Sequence, residues 1–223
     1  MELEQDLERA KRVLLESLRR EIDDERVLQA MDEVPREDFV SEANRHLAYE
    51  DIPLPIGEGQ TISQPYIVAL MTSALQLQET DRVLELGTGS GYQAAILAKL
   101  VPRGRVLTLE RISTLAHTAR TLLRSLGLQN VEARQAGKAL GCPQEAPFDA
   151  ILVTAGAPRL PRELLEQLAP GGRMVIPIGS LQEQQLTLVV KTGEGYSVKL
   201  LGACRFVPLL GQGAWSAEGP PGP

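Results

Sequence analysis

The sequence predicts an α/β fold: a mostly parallel seven-stranded sheet with helices on both faces and a closing antiparallel hairpin. Three observations carry this. From residue 82 onward, short apolar runs alternate with amphipathic ones. Glycine-rich breaks fall between them. The last two β-rich runs are joined by a short turn. Strands that alternate with helices imply right-handed crossovers and a parallel sheet.

The elements follow in order. Residues 82–86 (RVLEL) form a first strand and 91–100 a helix. Residues 105–110 are a second strand, and 113–127 a helix closed by Gly127. NVEAR at 130–134 is a third strand, FDAILVT at 148–154 a fourth, 161–172 a helix with its stop, and 173–178 a fifth strand. Residues 186–191 and 196–207 are the closing pair, joined by Thr192-Gly193-Glu194-Gly195.

The N-terminal part is different. Leu3, Leu7, Ala10, Leu14 and Leu18 mark one stripe of a helix. A second short helix covers residues 25–31 and stops before Pro35. Residues 49–65 hold three prolines and two glycines and read as a structured, non-helical loop. Loops of ~17 residues inside compact domains are often functional. Helix resumes at Pro65, with Ile67, Leu70, Met71, Ala74 and Leu75 at helical spacing. At 223 residues the chain makes one compact domain. Within it, residues 1–80 supply helices and a substrate loop, 81–210 the core, and 211–223 a flexible tail.

Composition narrows the function. The formal net charge of -6 disfavours a nucleic-acid partner, whose backbone calls for a basic surface. No apolar run approaches the ~18 residues of a membrane span, and the charged N-terminus lacks a secretory signal. Cys142 and Cys204 form no metal or redox spacing, which reads as two buried, reduced thiols in a cytoplasmic protein.

The chemistry concentrates at Glu85-Leu86-Gly87-Thr88-Gly89-Ser90-Gly91. Glycines there allow a sharp strand-to-helix turn and close approach of a ligand to the backbone. Dinucleotide folds favour G-x-G-x-x-G; here the spacing is G-x-G-x-G with an acid two residues ahead. That pattern resembles motif I of class I S-adenosylmethionine-dependent methyltransferases, a Rossmann-like fold. A carboxylate such as Glu85 suits a ligand with a sulfonium and an ammonium. Glu110 ends the next strand, 19 residues after Gly91, where a carboxylate can accept both hydroxyls of a ribose.

A narrower resemblance runs from Val34 to Leu209. It is carried by Val34-Pro35-Arg36, Phe39-Val40, Ala48-Tyr49, residues 53–57, the GQTISQPY run at 59–66, residues 146–149, Val153-Thr154-Ala155, Gln167-Leu168, Gly171-Gly172-Arg173 and the RFVPL run at 205–209. On these residues the chain resembles the protein-L-isoaspartate O-methyltransferase family. The resemblance implies methyl transfer from S-adenosyl-L-methionine to the free carboxyl of L-isoaspartyl and D-aspartyl residues in damaged proteins and peptides. S-adenosyl-L-homocysteine is the product, and no metal is needed. The ester then closes to a succinimide, whose hydrolysis partly restores aspartate. The resemblance places Ser63 at the active centre. It makes Gln60, Thr61, Ile62, Ser63, Glu85, Gly87, Thr88, Gly89, Gly91, Glu110 and Gly137 cofactor contacts. Ile62, Ser63, Val207, Pro208 and Leu209 become substrate contacts.

The missing groups agree with this. A carboxylate is already nucleophilic at neutral pH, so no strong base is required and positioning dominates. His46 and His117, the only histidines, read as structural. Ser63 also suits the N-cap of the helix from Pro65. One departure stands out: the family's Gly-Asp-Gly after the third strand corresponds to Ala136-Gly137-Lys138. The missing acid would accept a bond from the adenine amino group. Its loss costs on the order of 1–2 kcal/mol of cofactor affinity. Three other readings stay open: an O-methyltransferase for ordinary aspartate in a peptide partner, a non-catalytic S-adenosylmethionine-binding relative, and an NAD-dependent dehydrogenase, the last disfavoured by glycine spacing.

Overall fold

A computed structural model describes residues 2–211 and 213–216. Helix α1 (Glu2–Leu18) buries Leu7, Leu14, Leu15 and Leu18, while Leu3 stands exposed at the free end of the stripe. Helix α2 (Glu25–Glu33) runs two residues beyond expectation; the Asp24 side chain caps it by accepting from the Arg26 N–H. Two 3₁₀ turns follow, Arg36–Phe39 and Glu42–Leu47.

The 49–65 segment is more ordered than a loop. Strands β1 (Leu54–Gly57) and β2 (Gln60–Ile62) pair as a small antiparallel hairpin. Gly57, Glu58 and Gly59 all have positive φ, so the tip turns through three consecutive left-handed residues. Two glycines make this affordable, and Glu58 carries the remaining strain. Helix α3 (Pro65–Leu75) starts at the proline and buries Val68, Met71, Thr72 and Leu75. Its N-cap is Gln64 and not Ser63, and it has no side-chain cap of its own. Asp51 serves instead, accepting from the Tyr66 N–H at 2.8 Å and the Gln64 amide at 2.9 Å.

The core is β3 (Arg82–Leu86), α4 (Tyr92–Leu100), β4 (Arg105–Glu110), α5 (Ser113–Ser125), β5 (Val131–Gln135), β6 (Phe148–Val153), α6 (Arg162–Glu166), β7 (Leu168–Gly179), β8 (Gln184–Thr192) and β9 (Gly195–Cys204). The seven strands lie in the order β5-β4-β3-β6-β7-β8-β9. The first five pair in parallel; β8 and β9 add in turn as antiparallel hairpins. The expected 161–172 helix is cut short: Leu168 already pairs with Phe148, so 168–172 belongs to the strand. The last strand stops at Cys204, leaving 205–209 free to leave the sheet.

Alternation along the strands splits the core. Val83, Val106, Ala150 and Leu152 face α1–α4, packing with Leu14, Leu28, Met71 and Ile96. Leu84, Leu107, Ile151 and Val153 face the other way, toward α6 and Leu209. The N-terminal helices therefore share a core with the sheet, and nothing separates them at residue 80. The tail is not wholly loose: Trp215 bonds the Leu209 carbonyl at 2.9 Å and the Gly156 carbonyl at 3.1 Å. The rest of the expected tail, 212 and 217–223, lies outside the described residues. No helix among the described residues is long and apolar enough to cross a membrane. Both cysteines are free and half-buried rather than buried.

Candidate active site

One cavity opens at the carboxyl ends of β3, β4 and β6, where the parallel strands diverge in connection. Its floor is the glycine loop. Gly87 has φ +98°, and a Cβ there would sit 2.3 Å from Thr154 Oγ1. That threonine donates to the Gly87 carbonyl at 2.7 Å, locking the turn against β6. Glu110 lines the same cavity and is nearly buried. Its Oε2 accepts from Gly89 N–H at 2.9 Å and its Oε1 from Ile112 N–H at 2.9 Å. The carboxylate is thus held by two backbone donors, with lone pairs left for two ligand hydroxyls.

Glu85 and Gly91 are placed differently from expectation. Neither lines the cavity. Gly91, at φ +94°, is the N-cap of α4, and a Cβ on it would meet Ala119 at 3.3 Å. Its task is helix packing. Glu85 lies behind the wall, beside Thr108, its partner in register on β4. It is fully buried, and neither carboxyl oxygen has a hydrogen-bond partner. Burial pushes its pKa up to about 8, with the Thr108 hydroxyl pulling it down and the charge of Glu110 raising it further. The cavity-facing Glu110 carboxylate and the glycine loop beside it fit the ribose of an adenosine-bearing cofactor, as S-adenosylmethionine is.

The roof is the β1–β2 hairpin. Ile56 Cδ1 lies where a Cβ on Gly89 would come within 3.3 Å, so the hairpin sits on the glycine loop. Thr114 of α5 holds the tip by donating to Glu58 at 2.8 Å. Gln60, Thr61, Ile62 and Ser63 all face the cavity, together with Gly87, Thr88 and Gly89. The Ser63 hydroxyl has no partner among the described residues, so it is free for a ligand.

Val207, Pro208 and Leu209 form the far wall. Their backbone is partly spent. Gly156 N–H donates to the Val207 carbonyl at 2.7 Å, and Leu209 N–H donates to the Gly156 carbonyl at 2.8 Å. The Pro208 carbonyl accepts no backbone hydrogen bond among the described residues. Of the three, Pro208 is the one with a backbone acceptor open to a substrate. Gln184, buried on β8, fixes this segment by accepting from Phe206 N–H at 2.7 Å.

Ala136, Gly137 and Lys138 line the remaining side. A Cβ on Gly137 would meet nothing within 4 Å. Gln167, also buried, anchors the loop that follows. Its amide donates to the Leu140 carbonyl at 2.9 Å and accepts from Cys142 N–H at 2.7 Å. His46 and His117 are exposed and away from the cavity. No group of three or more His, Cys, Asp or Glu among the described residues is placed to hold a metal ion.

Several residues escaped sequence reasoning. Thr154, Gln167 and Arg36 lay within the quoted motifs but carried no assigned role. Gln184 and Trp215 gave no signal, since a lone polar or aromatic residue does not reveal its long-range partner.

Comparison with known proteins agrees with this geometry. Residues 8–214 match the family model for protein-L-isoaspartate(D-aspartate) O-methyltransferase. A protein-L-isoaspartate O-methyltransferase 1 of Syntrophobacter fumaroxidans is 55% identical over 196 residues, 88% of this chain and 91% of the relative. One from Geobacter metallireducens is 51% identical over 214 residues, 96% and 98% of the two chains. Among solved structures, a protein-L-isoaspartate O-methyltransferase superposes with TM-score 0.82 at 30% identity, covering 90% of this chain and 66% of that one. A Plasmodium falciparum protein described as the same enzyme, in complex with S-adenosyl-L-homocysteine, gives TM-score 0.75 at 29% identity, covering 87% and 95%. The chain belongs to the protein-L-isoaspartate(D-aspartate) O-methyltransferase family.

Proposed function

We infer that the protein transfers the methyl group of S-adenosyl-L-methionine to the free carboxyl of L-isoaspartyl residues in damaged proteins and peptides. The observation that carries this is one cavity bounded by two kinds of wall. On one side lie the glycine loop and Glu110; on the other, a free Ser63 hydroxyl and the Pro208 carbonyl. In this reading Glu110 takes the ribose hydroxyls, the Gly87–Gly89 backbone lies against the cofactor, and Gly137 stands beside the adenine.

The cofactor, when bound, supplies an activated methyl group on a good leaving group. The chain's own residues do the rest. Ser63 donates its hydroxyl proton in a hydrogen bond to one carboxyl oxygen of the isoaspartyl group. The other oxygen is then aligned with the methyl carbon. The cofactor would supply the methyl group to that oxygen, the new oxygen–carbon bond replacing the carbon–sulfur bond, whose electron pair would stay with sulfur. The acceptor enters as a carboxylate, so no base is called for. The roofing hairpin and the 207–209 wall limit water, and rate is gained through alignment. The Pro208 carbonyl accepts from a backbone N–H of the bound peptide.

The test is a pair of synthetic peptides that differ only in isoaspartate versus aspartate, with methyl-labelled cofactor. Base-labile ester on the isoaspartyl peptide alone is the expected result. Ester on the aspartyl peptide would move the function to modification of ordinary aspartate. Cofactor bound with no ester on either would make the protein a binding relative.

A further inference from the structure

Arg36 holds a charge that the reaction as described does not use. It lies in the 3₁₀ turn after α2 and is fully buried. Nε donates to the Ala48 carbonyl at 2.8 Å, and Nη2 donates to the Ser63 carbonyl at 2.8 Å. The guanidinium carbon stands 4.9 Å from the centroid of the Tyr92 ring. Nη1 is buried with no partner.

No carboxylate pairs with this guanidinium among the described residues. The titratable groups around it are Tyr92 on α4, Tyr49 after the second 3₁₀ turn, Glu37 beside Arg36 in its own turn, and Asp51. Glu37 is taken by the Tyr49 hydroxyl. Asp51 is taken by Gln64 and Tyr66 at the start of α3. Burial pushes the Tyr92 phenol up to about 12 and raises Tyr49 as well, so both stay neutral at physiological pH. Burial also lowers the pKa of Arg36, yet a guanidinium keeps its proton in proteins.

An unpaired buried cation is costly, and two carbonyls and an aromatic face offset only part of the cost. A simple structural strut could have been apolar. The placement suggests a use for the charge. Ser63 and Tyr92 both line the cavity, and Arg36 touches both from behind. It spans the joint between the substrate loop and the helix that follows the glycine loop.

We propose that Arg36 is the positioning residue of the substrate end: it fixes the Ser63 peptide against the first turn of α4, and its unpaired charge favours an anionic carboxyl group in front of Ser63. This rests on the reading of a carboxylate acceptor given above. Lysine at this position would keep the charge and lose the two-pronged grip; glutamine would lose the charge.

The test compares Arg36→Lys and Arg36→Gln with the unaltered protein. Calorimetry measures S-adenosyl-L-homocysteine affinity, and steady-state assays measure kcat and KM for an isoaspartyl peptide across pH. Arg36→Gln is expected to raise peptide KM by about tenfold or more, with kcat also reduced. The acid limb of its KM profile should move to higher pH, because the bound carboxylate loses a stabilising charge. Arg36→Lys should recover part of the KM and most of the pH profile. S-adenosyl-L-homocysteine affinity should stay within about threefold in both, since neither the glycine loop nor Glu110 touches Arg36. Unchanged peptide KM and pH profile in a folded Arg36→Gln would overturn the proposal. So would a loss of cofactor affinity as large as the loss of peptide affinity. If neither variant folds, the unaltered protein decides. A peptide carrying a ¹³C-labelled isoaspartyl carboxyl, bound beside S-adenosyl-L-homocysteine, should titrate below the free peptide. An unshifted or raised titration refutes the charge's role. Failure of the unaltered protein to methylate the isoaspartyl peptide would defeat the underlying function instead.

Discussion

The Glu110 side and the Gly137 side of the cavity are built on different plans. On the first, an acid at a strand end is clasped by two backbone N–H groups within a few residues of it or one strand away. On the second, the loop after β5 is exposed, offers no side chain at Gly137, and is anchored by a glutamine far along the chain. The first wall is organised by sheet register. The second depends on one long-range contact. Binding strength should therefore be concentrated on the first wall, and room for improvement on the second.

The largest effect lies behind the first wall. Glu85 ionises near 8 when buried and near the ordinary ~4.3 when unfolded. Between these values the folded protein holds the extra proton, so stability without cofactor should fall as pH rises from about 4.5 to about 8. The loss attributable to this group is on the order of several kcal/mol. Urea midpoints at pH 5, 6.5 and 8 measure it. Glu85→Gln should flatten the slope and be the more stable protein at pH 8. Parallel slopes would show that Glu85 does not hold its proton there.

Next, Glu110→Ala removes both backbone clasps and the ribose acceptor. S-adenosyl-L-homocysteine affinity should fall by roughly a hundredfold, about 3 kcal/mol, in a calorimetric titration. A fall no greater than that of a change on the Gly137 side would erase the contrast between the walls.

Gln167→Ala tests the anchor of the second wall. It leaves the Leu140 carbonyl and the Cys142 N–H without partners, at a cost of about 2 kcal/mol in unfolding free energy. Amide exchange should quicken across 138–142 and stay slow in 87–91. Uniform quickening would mean that Gln167 supports the whole core and not that loop.

The smallest effect runs in the opposite direction. Gly137→Asp supplies the acid that the family resemblance leads one to expect here, into space that is open for its Cβ. Cofactor affinity should improve by about 1–2 kcal/mol, roughly tenfold to thirtyfold. No tightening would mean that Gly137 does not stand beside the adenine.

The same contrast explains what could be read in the sequence. Strand alternation and glycine spacing are local signals, so the sheet, the glycine loop and Glu110 were legible before any coordinates. Glu85 was legible as an acid but not as a hidden one, because which strand face meets the cavity depends on the neighbours in register. The 49–65 segment looked like a loop because its prolines and glycines mask a three-residue strand pairing. The 161–172 helix ended early because Leu168 was captured by Phe148 across the sheet. Arg36, Gln167, Gln184 and Trp215 act through partners distant in sequence or across the fold, and single residues of this kind carry no periodic signal.

The most direct test of the account is a crystal structure with S-adenosyl-L-homocysteine bound. The account predicts ribose hydroxyls on Glu110, the homocysteine sulfur facing Ser63, and adenine beside 136–140 with no side-chain acceptor from residue 137. A nucleoside turned away from Glu110, or bound outside this cavity, would contradict it.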